Sequence, residues 1–129
     1  MTRLPALLLL AALAAPAIAK PRLTSEQQLQ KALDGLVAEK PTSCIQLYPS
    51  NGSTTYEGAV LYRVGSKRYL NRFGDGCPFL HPDDGLITRS FGSQLCRGDI
   101  VTIFTPGIPI QRGSCVMGDF TPYRSAKVK

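Results

Sequence analysis

The chain lacks most of the side chains that enzymes use as nucleophiles, general bases and metal ligands. His81 is its one histidine, and no Cys-x-x-Cys pair occurs, so the spacing of a zinc site is missing. Neither Gly-x-Ser-x-Gly nor Ser-x-x-Lys is present, so no serine has a neighbouring residue that would activate it. We therefore predict a protein that is not an enzyme and that uses no metal and no cofactor.

The carboxylates leave one catalytic alternative open. Glu57 together with Asp75 or Asp99 could supply the acid and base of a small hydrolase, although their spacing does not single them out. A chain of 129 residues also offers limited room for a deep substrate cleft beside its core. The His81-Pro82-Asp83-Asp84 segment lacks the ligand spacing of an established metal site, which favours a polar loop.

No apolar run in the sequence reaches the roughly 20 residues that a membrane-spanning helix needs. The run from Leu7 to Ala15 follows Arg3 and precedes Ala17-Ile18-Ala19, which is the arrangement of a secretory signal peptide and its cleavage site. We predict a signal peptide over residues 1–19. The mature chain is expected to begin at Lys20, to reside in the periplasm or outside a bacterial cell, and to have no transmembrane segment.

Basic residues outnumber acidic ones. The net charge is +6, and loss of Arg3 with the signal peptide lowers it to +5. Such a balance favours anionic neighbours, although a charge of this size is also ordinary for a small domain. We expect an anionic envelope component or an acidic protein as the partner, and no nucleic acid.

The four cysteines form an even set: Cys44, Cys77, Cys96 and Cys115. In an oxidising compartment two disulfides are the expected outcome, and the sequence alone leaves all three pairings open. We favour Cys77–Cys96, which closes a local loop, together with Cys44–Cys115, which joins the ends of the domain.

One amphipathic helix is predicted ahead of a β-rich region. Thr24 and Gln27 form a capping-box pattern, and Pro41 ends the helical segment, so the helix is expected from Thr24 to Glu39. It carries one apolar stripe, made by Leu29, Leu33, Leu36 and Val37. This helix is expected to pack on a sheet or to cover one of its edges. The domain divisions are a helical segment over residues 20–41, a β-rich domain over 42–124 and a basic tail over 125–129.

After Pro41 short apolar runs alternate with turn residues. The predicted strands are Cys44–Tyr48, Ala59–Val64, Lys67–Phe73, Leu86–Phe91, Ile100–Thr105 and a segment around Ile110–Met117. Asn51-Gly52-Ser53 matches a glycosylation sequon but lies in a predicted turn. The fold class is mainly β (α+β): a small curled sheet or barrel of five or six short antiparallel strands, with one N-terminal helix and two disulfides.

The segment RVGSKRYLNR predicts a hairpin with a two-residue turn at Gly65-Ser66. In that register Arg63 lies opposite Arg68, and alternation puts both on the same face as Arg72, with Lys67 at the rim of the other face. The core face then carries Val60, Tyr62, Val64, Tyr69 and Phe73, whereas Leu61 and Leu70 accompany the arginines. The basic face is either solvated and balanced by a carboxylate such as Glu57, or a contact surface for an anionic partner.

Two further motifs allow both a structural and a functional interpretation. Arg97-Gly98-Asp99 spells an adhesion tripeptide, but Gly-Asp ahead of a strand is ordinary turn chemistry. The segment Thr105–Pro109 contains two prolines, which stiffen it and reduce the ordering entropy lost on binding. Such a loop is suited to an inhibitor of a secreted or periplasmic enzyme.

The segments around the cysteines are Cys44-Ile45, Cys77-Pro78-Phe79-Leu80, Leu95-Cys96-Arg97-Gly98-Asp99 and Cys115-Val116-Met117-Gly118-Asp119-Phe120. They resemble a family of small exported bacterial four-cysteine proteins classed as a domain of unknown function. The resemblance covers about residues 44–120 and omits the helix. It implies export, a β-rich disulfide-bonded domain and an envelope setting, and it implies no activity.

The leading prediction for function is a non-catalytic exported binding module. Its contact surface for an anionic partner is predicted to consist of Arg63, Lys67, Arg68 and Arg72. The first alternative is the inhibitor with the Thr105–Pro109 loop, and the second is the small hydrolase.

Overall fold

The structure, a computed structural model, describes residues 14–90 and 92–126, and within them the chain forms one helix and ten strands. The elements in chain order are α1 (Ser25–Leu33), β1 (Leu36–Ala38), β2 (Cys44–Gln46), β3 (Ser50–Tyr56), β4 (Ala59–Val64), β5 (Lys67–Arg72), β6 (Gly85–Thr88), β7 (Gln94–Cys96), β8 (Ile100–Phe104), β9 (Gln111–Val116) and β10 (Phe120–Ser125). All pairings between these strands are antiparallel. The three resulting sheets have the orders β1-β10-β5-β4-β3, β2-β7 and β6-β8-β9.

The predicted mainly β fold with one N-terminal helix and two disulfides is confirmed, with two corrections. The sheets do not close into a barrel, and the described residues form more strands than the five or six predicted. The extra strands lack the alternation of apolar and polar residues by which strands are predicted. β1 and β7 have only three residues each, and β3 contains no aliphatic side chain. Pro122 lies inside β10, where a proline normally argues against a strand.

Helix α1 begins as predicted and ends earlier. The Thr24 hydroxyl accepts the Gln27 N–H at 3.2 Å, and the Gln27 side chain accepts the Thr24 N–H at 2.9 Å, which completes the capping box. The helix stops at Leu33 because Gly35 adopts φ of +74°, a left-handed conformation that turns the chain out of the helix. The predicted extension to Glu39 is therefore wrong, and Leu36–Ala38 instead forms an edge strand against β10.

The five-stranded sheet is covered on both faces. One face carries the larger core, whose buried members include Val60, Tyr62, Phe73, Phe120, Leu95, Val101 and Ile103. The other face carries Leu61 and Leu70, which pack with Leu29 and Leu33 of α1. Helix packing on the sheet is thus confirmed. The face that alternation assigns to the arginines is the face that α1 occupies.

The disulfides join Cys44 to Cys96 and Cys77 to Cys115, so the favoured pairing is wrong. Cys44 and Cys96 stand directly opposite each other on β2 and β7, with their Cα atoms 4.0 Å apart. Cys77 and Cys115 are both buried in the larger core. The Cys44–Cys96 bridge depends on the ladder between β2 and β7, which are distant in sequence. Loop closure, the argument that favoured Cys77–Cys96, takes no account of such a ladder.

The N-terminal prediction falls mostly outside the residues described. Residues 1–13, with Arg3 and most of the apolar run, lie outside them, as do Phe91 and residues 127–129 of the predicted tail. Residues 14–24 are exposed and have neither helix nor strand. Over the ranges that the structure covers, no helix combines the length and apolar character needed to cross a bilayer.

Candidate functional site

The β4–β5 hairpin has the predicted register. Arg63 pairs with Arg68 and Val64 pairs with Lys67, and Gly65 has the positive φ, +60°, that a two-residue hairpin turn requires. Its N–H donates to the Pro49 carbonyl at 3.1 Å, which attaches the turn to the neighbouring segment. The hairpin therefore holds its charged side chains on a backbone that is attached to the neighbouring segment at its turn.

Arg72 lies at the end of β5 away from the turn and is neutralised within the chain. Its guanidinium contacts both carboxylate oxygens of Glu26, at 2.8 and 3.3 Å. Hydrogen bonds from Arg72, and then from Gln30, hold the pKa of Glu26 below its ordinary value. The carboxylate that neutralises Arg72 is Glu26 of α1, and not Glu57, which the sequence suggested for this role.

Arg63 and Arg68 each donate a hydrogen bond to a neutral oxygen atom. Arg68 Nη1 donates to the carbonyl oxygen of Ala32 in the last turn of α1, where the helix dipole favours a cation. Arg63 Nη1 donates to Thr54 Oγ1 at 2.9 Å. The carbonyl acceptor fixes the Arg68 guanidinium in place but leaves its full positive charge.

Lys67 and Arg124 share one carboxylate. Lys67 Nζ lies 3.5 Å from Glu39 Oε2, and Arg124 Nε lies 3.2 Å from Glu39 Oε1. Glu39 directly follows β1, and its N–H donates to the Pro122 carbonyl of β10, so the pair of ion pairs ties three segments together. One negative charge serves two positive ones, which leaves this position electropositive.

Three of the four predicted binding residues therefore lie at the turn end of the hairpin. Arg63 and Arg68 are on the face that α1 covers, and Lys67 is on the other face, where Arg124 of β10 lies beside it. We call Arg63, Lys67, Arg68 and Arg124 the basic cluster. Arg72 does not belong to it, since it lies at the opposite end of β5 beside Glu26. Arg124 was missed because the sequence gives no signal that β10 pairs with β5.

The larger cavity brings two of the candidate carboxylates together. It has a volume of about 710 Å³ and is lined by Glu57, Arg72, Asp75 and His81, among others. Glu57 and Asp75 are both exposed, whereas the acid of a glycoside hydrolase is usually shielded from water to keep its proton. The geometry thus places these groups in one open depression, and the hydrolase stays a prediction.

The His81–Asp84 segment is a structured polar loop. One Asp84 carboxylate oxygen accepts the His81 N–H at 2.7 Å and also pairs with Arg112. In the described part of the chain, no group of three His, Cys, Asp or Glu side chains is arranged to hold a metal ion. The Asp84 carboxylate therefore stabilises the His81–Asp84 loop and its contact with Arg112.

The Arg97-Gly98-Asp99 tripeptide forms a turn. Asp99 Oδ2 accepts the Cys96 N–H at 2.8 Å, and the Asp99 N–H donates to the Cys96 carbonyl at 3.1 Å. Arg97 pairs with Asp119 at 3.2 Å. Asp99, the third candidate carboxylate, lies in a second cavity and not with Glu57 and Asp75.

The Thr105–Pro109 segment connects β8 to β9 through a type II turn. Pro106 occupies its second position, Gly107 its third with φ of +82°, and the Ile108 N–H donates to the Thr105 carbonyl at 3.1 Å. The turn presents two large apolar side chains to solvent, Ile108 at 49% and Ile110 at 62% exposure. The segment is therefore both ordered and apolar at its surface.

No protein-family model, characterised protein or solved structure matches this chain. The resemblance of its cysteine segments to an exported bacterial family accordingly stays a prediction. Functional inference depends on the residues and geometry of the chain itself.

Proposed function

We propose that the chain is a non-catalytic exported binding module that contacts a phosphate-bearing polyanion of the bacterial envelope through the basic cluster. The observation that carries this proposal is the mode in which the cluster is held. Arg68 is fixed by the neutral carbonyl of Ala32, Arg63 donates to the Thr54 hydroxyl, and Lys67 and Arg124 share the single carboxylate of Glu39. The cations are thus ordered in advance while their charge is only partly compensated.

Such an arrangement reduces two costs of binding. Side chains that are already ordered lose less conformational entropy when a ligand arrives. Arginine also matches phosphate with two parallel hydrogen bonds, which a charge-assisted contact strengthens. Export is supported by the two disulfides and by the signal-like N-terminal sequence. An envelope setting would offer phosphate groups at high local density.

The test compares two double variants in binding to lipopolysaccharide across a salt series. Lys67→Gln with Arg124→Gln removes two charges from the basic cluster and should weaken binding about 30-fold at low salt, since each cation near an anionic surface contributes about 1 kcal/mol. Arg72→Gln with Arg97→Gln removes the same number of charges elsewhere, at arginines that also pair with surface carboxylates. That control should bind within about threefold of the unmodified protein.

Dephosphorylated lipopolysaccharide should bind the unmodified protein weakly and lose most of the salt dependence. If both double variants weakened lipopolysaccharide binding equally, the effect would come from net charge and not from the basic cluster. That result would contradict the proposal. Retained binding of the dephosphorylated ligand would do the same. Tight binding to an acidic protein in place of the glycan would assign the cluster to the other partner class.

We propose, as a second candidate, inhibition of a secreted or periplasmic hydrolase by the Thr105–Pro109 loop. The type II turn and the exposed Ile108 and Ile110 support it, because a stiff apolar loop can enter a substrate cleft with little ordering entropy. Ile108→Ser with Ile110→Ser should abolish inhibition of a co-purifying hydrolase. Leu23→Ser with Val37→Ser, at exposed apolar residues elsewhere, should leave inhibition intact. Equal inhibition by both variants would rule out the loop.

A further inference from the structure

Arg89 differs from the other arginines of the β-rich region. Six arginines between residues 42 and 126 contact an acceptor in the chain, namely Arg63, Arg68, Arg72, Arg97, Arg112 and Arg124. Among the residues that the structure describes, Arg89 has neither an ion pair nor a hydrogen bond. A guanidinium forms short paired hydrogen bonds with a carboxylate, so Arg89 is available for an anion from outside the chain.

Arg89 lines the smaller cavity, at the end of β6. The cavity has a volume of about 470 Å³ and is lined by Arg89, Gly98, Asp99, Ile100 and Thr102. This volume falls within the range of roughly 300–1,000 Å³ that small-molecule sites occupy. Among the described residues the Asp99 carboxylate forms no ion pair with Arg89; one of its oxygens accepts the Cys96 N–H and fixes the turn.

The face of the β6-β8-β9 sheet next to this cavity is apolar. Ile100 is 57% exposed and pairs across the ladder with Val116, which is 42% exposed. Ile87 is 43% exposed and pairs with Thr102, the residue of the cavity wall. Three aliphatic side chains thus lie in water on the same outer face as one unpaired guanidinium.

We propose that this cavity binds a small amphipathic carboxylate, with its head group on Arg89 and its aliphatic chain over Ile87, Ile100 and Val116. A purely polar ligand would leave the three aliphatic side chains in water, and a neutral apolar ligand would bury the charge of Arg89 without a partner. A fatty-acid-like anion satisfies both conditions. The site belongs to a different sheet from the basic cluster and does not depend on the function proposed above.

Titrations with octanoate, decanoate and dodecanoate below their micelle concentrations test the apolar part. Affinity, followed by amide chemical shifts, should rise about fourfold with each added methylene that enters the site. Decanol, which has the same chain and no charge, should bind at least tenfold more weakly than decanoate. The absence of saturable binding, or an affinity independent of chain length, would overturn the proposal.

Substitutions test the charged part. Arg89→Met should bind decanoate and decanol equally, whereas Arg97→Met, which loses the same charge at an exposed arginine, should keep the preference for decanoate. Ile100→Ser should weaken both ligands. Arg89 is exposed, so the Met variant should keep the midpoint of thermal unfolding. A preference for decanoate that survives in Arg89→Met would refute the role of this arginine.

A second copy of the chain could also cover the outer face of the β6-β8-β9 sheet. Analytical ultracentrifugation, which measures the oligomeric state, distinguishes this case from carboxylate binding. The proposal expects a monomer at the concentrations of the titration. Self-association would be indicated by a dimer in which the chemical shifts of Ile87, Ile100 and Val116 depend on protein concentration. If decanoate also fails to dissociate that dimer, the face belongs to self-association and the proposal is overturned.

Discussion

Replacing Cys77 and Cys115 together by alanine is expected to lower the free energy of unfolding by at least about 4 kcal/mol. On the loop-entropy model this is the contribution of a bridge between residues 38 apart in sequence. Both sulfurs are also buried in the larger core, so alanine removes packing in addition. Small domains are stable by only about 5–15 kcal/mol, so a loss of this size is a large share of the original stability.

Urea unfolding followed by circular dichroism measures this effect, with the other bridge as the matched control. Cys44 and Cys96 are 52 residues apart, which gives nearly the same entropic contribution because that contribution grows only with the logarithm of the loop length. Their side chains are half-buried, so the loss of packing in Cys44→Ala with Cys96→Ala should be smaller. A larger loss of unfolding free energy in the Cys44/Cys96 variant than in the Cys77/Cys115 variant would contradict this account. A non-reducing peptide map checks the two pairings directly.

The hairpin shows how far local sequence pattern reaches. Gly65 and the alternation of side chains were enough to predict the register of Arg63 with Arg68 and the division of the two faces. They could not show what covers each face. Leu61 and Leu70 alternate with the arginines. This pattern is compatible with a face exposed to solvent, and equally with a face on which a helix packs against the leucines while the arginines flank it. The apolar stripe of α1, which ends at Leu33, supplies the cover.

The candidate site could be predicted only in part, for the same reason. Arg63, Lys67 and Arg68 are neighbours in the hairpin, so the sequence brings them together. Arg124 joins them through β10, whose Pro122 conceals a strand, and through Glu39, which the predicted helix had included. Contacts of this kind depend on pairing between segments that are distant in sequence. The same holds for Cys44 with Cys96.

Asn71 is the second position at which a single change should have a large effect. It is fully buried in β5, and its side chain makes two hydrogen bonds to one glycine: Nδ2 donates to the Gly118 carbonyl at 2.8 Å and Oδ1 accepts the Gly118 N–H at 3.1 Å. Gly118 precedes β10 and lies close to β5, since a Cβ atom at this position would lie 2.5 Å from the Arg72 carbonyl oxygen. The amide of Asn71 thus fixes the approach of β10 to β5.

Asn71→Leu is expected to lower the free energy of unfolding by about 2–6 kcal/mol. Leucine has a similar size, so it leaves little cavity, but it deprives the buried N–H and carbonyl of Gly118 of their partners at about 1–3 kcal/mol each. Gln94→Leu, at an exposed polar residue on β7, should change the stability by less than about 0.5 kcal/mol in the same urea titration. A loss below 1 kcal/mol in Asn71→Leu would mean that water or another group satisfies Gly118 equally well. In that case the approach of β10 to β5, and with it the position of Arg124 in the basic cluster, would be maintained by the backbone ladder between the two strands and by apolar packing around Phe120.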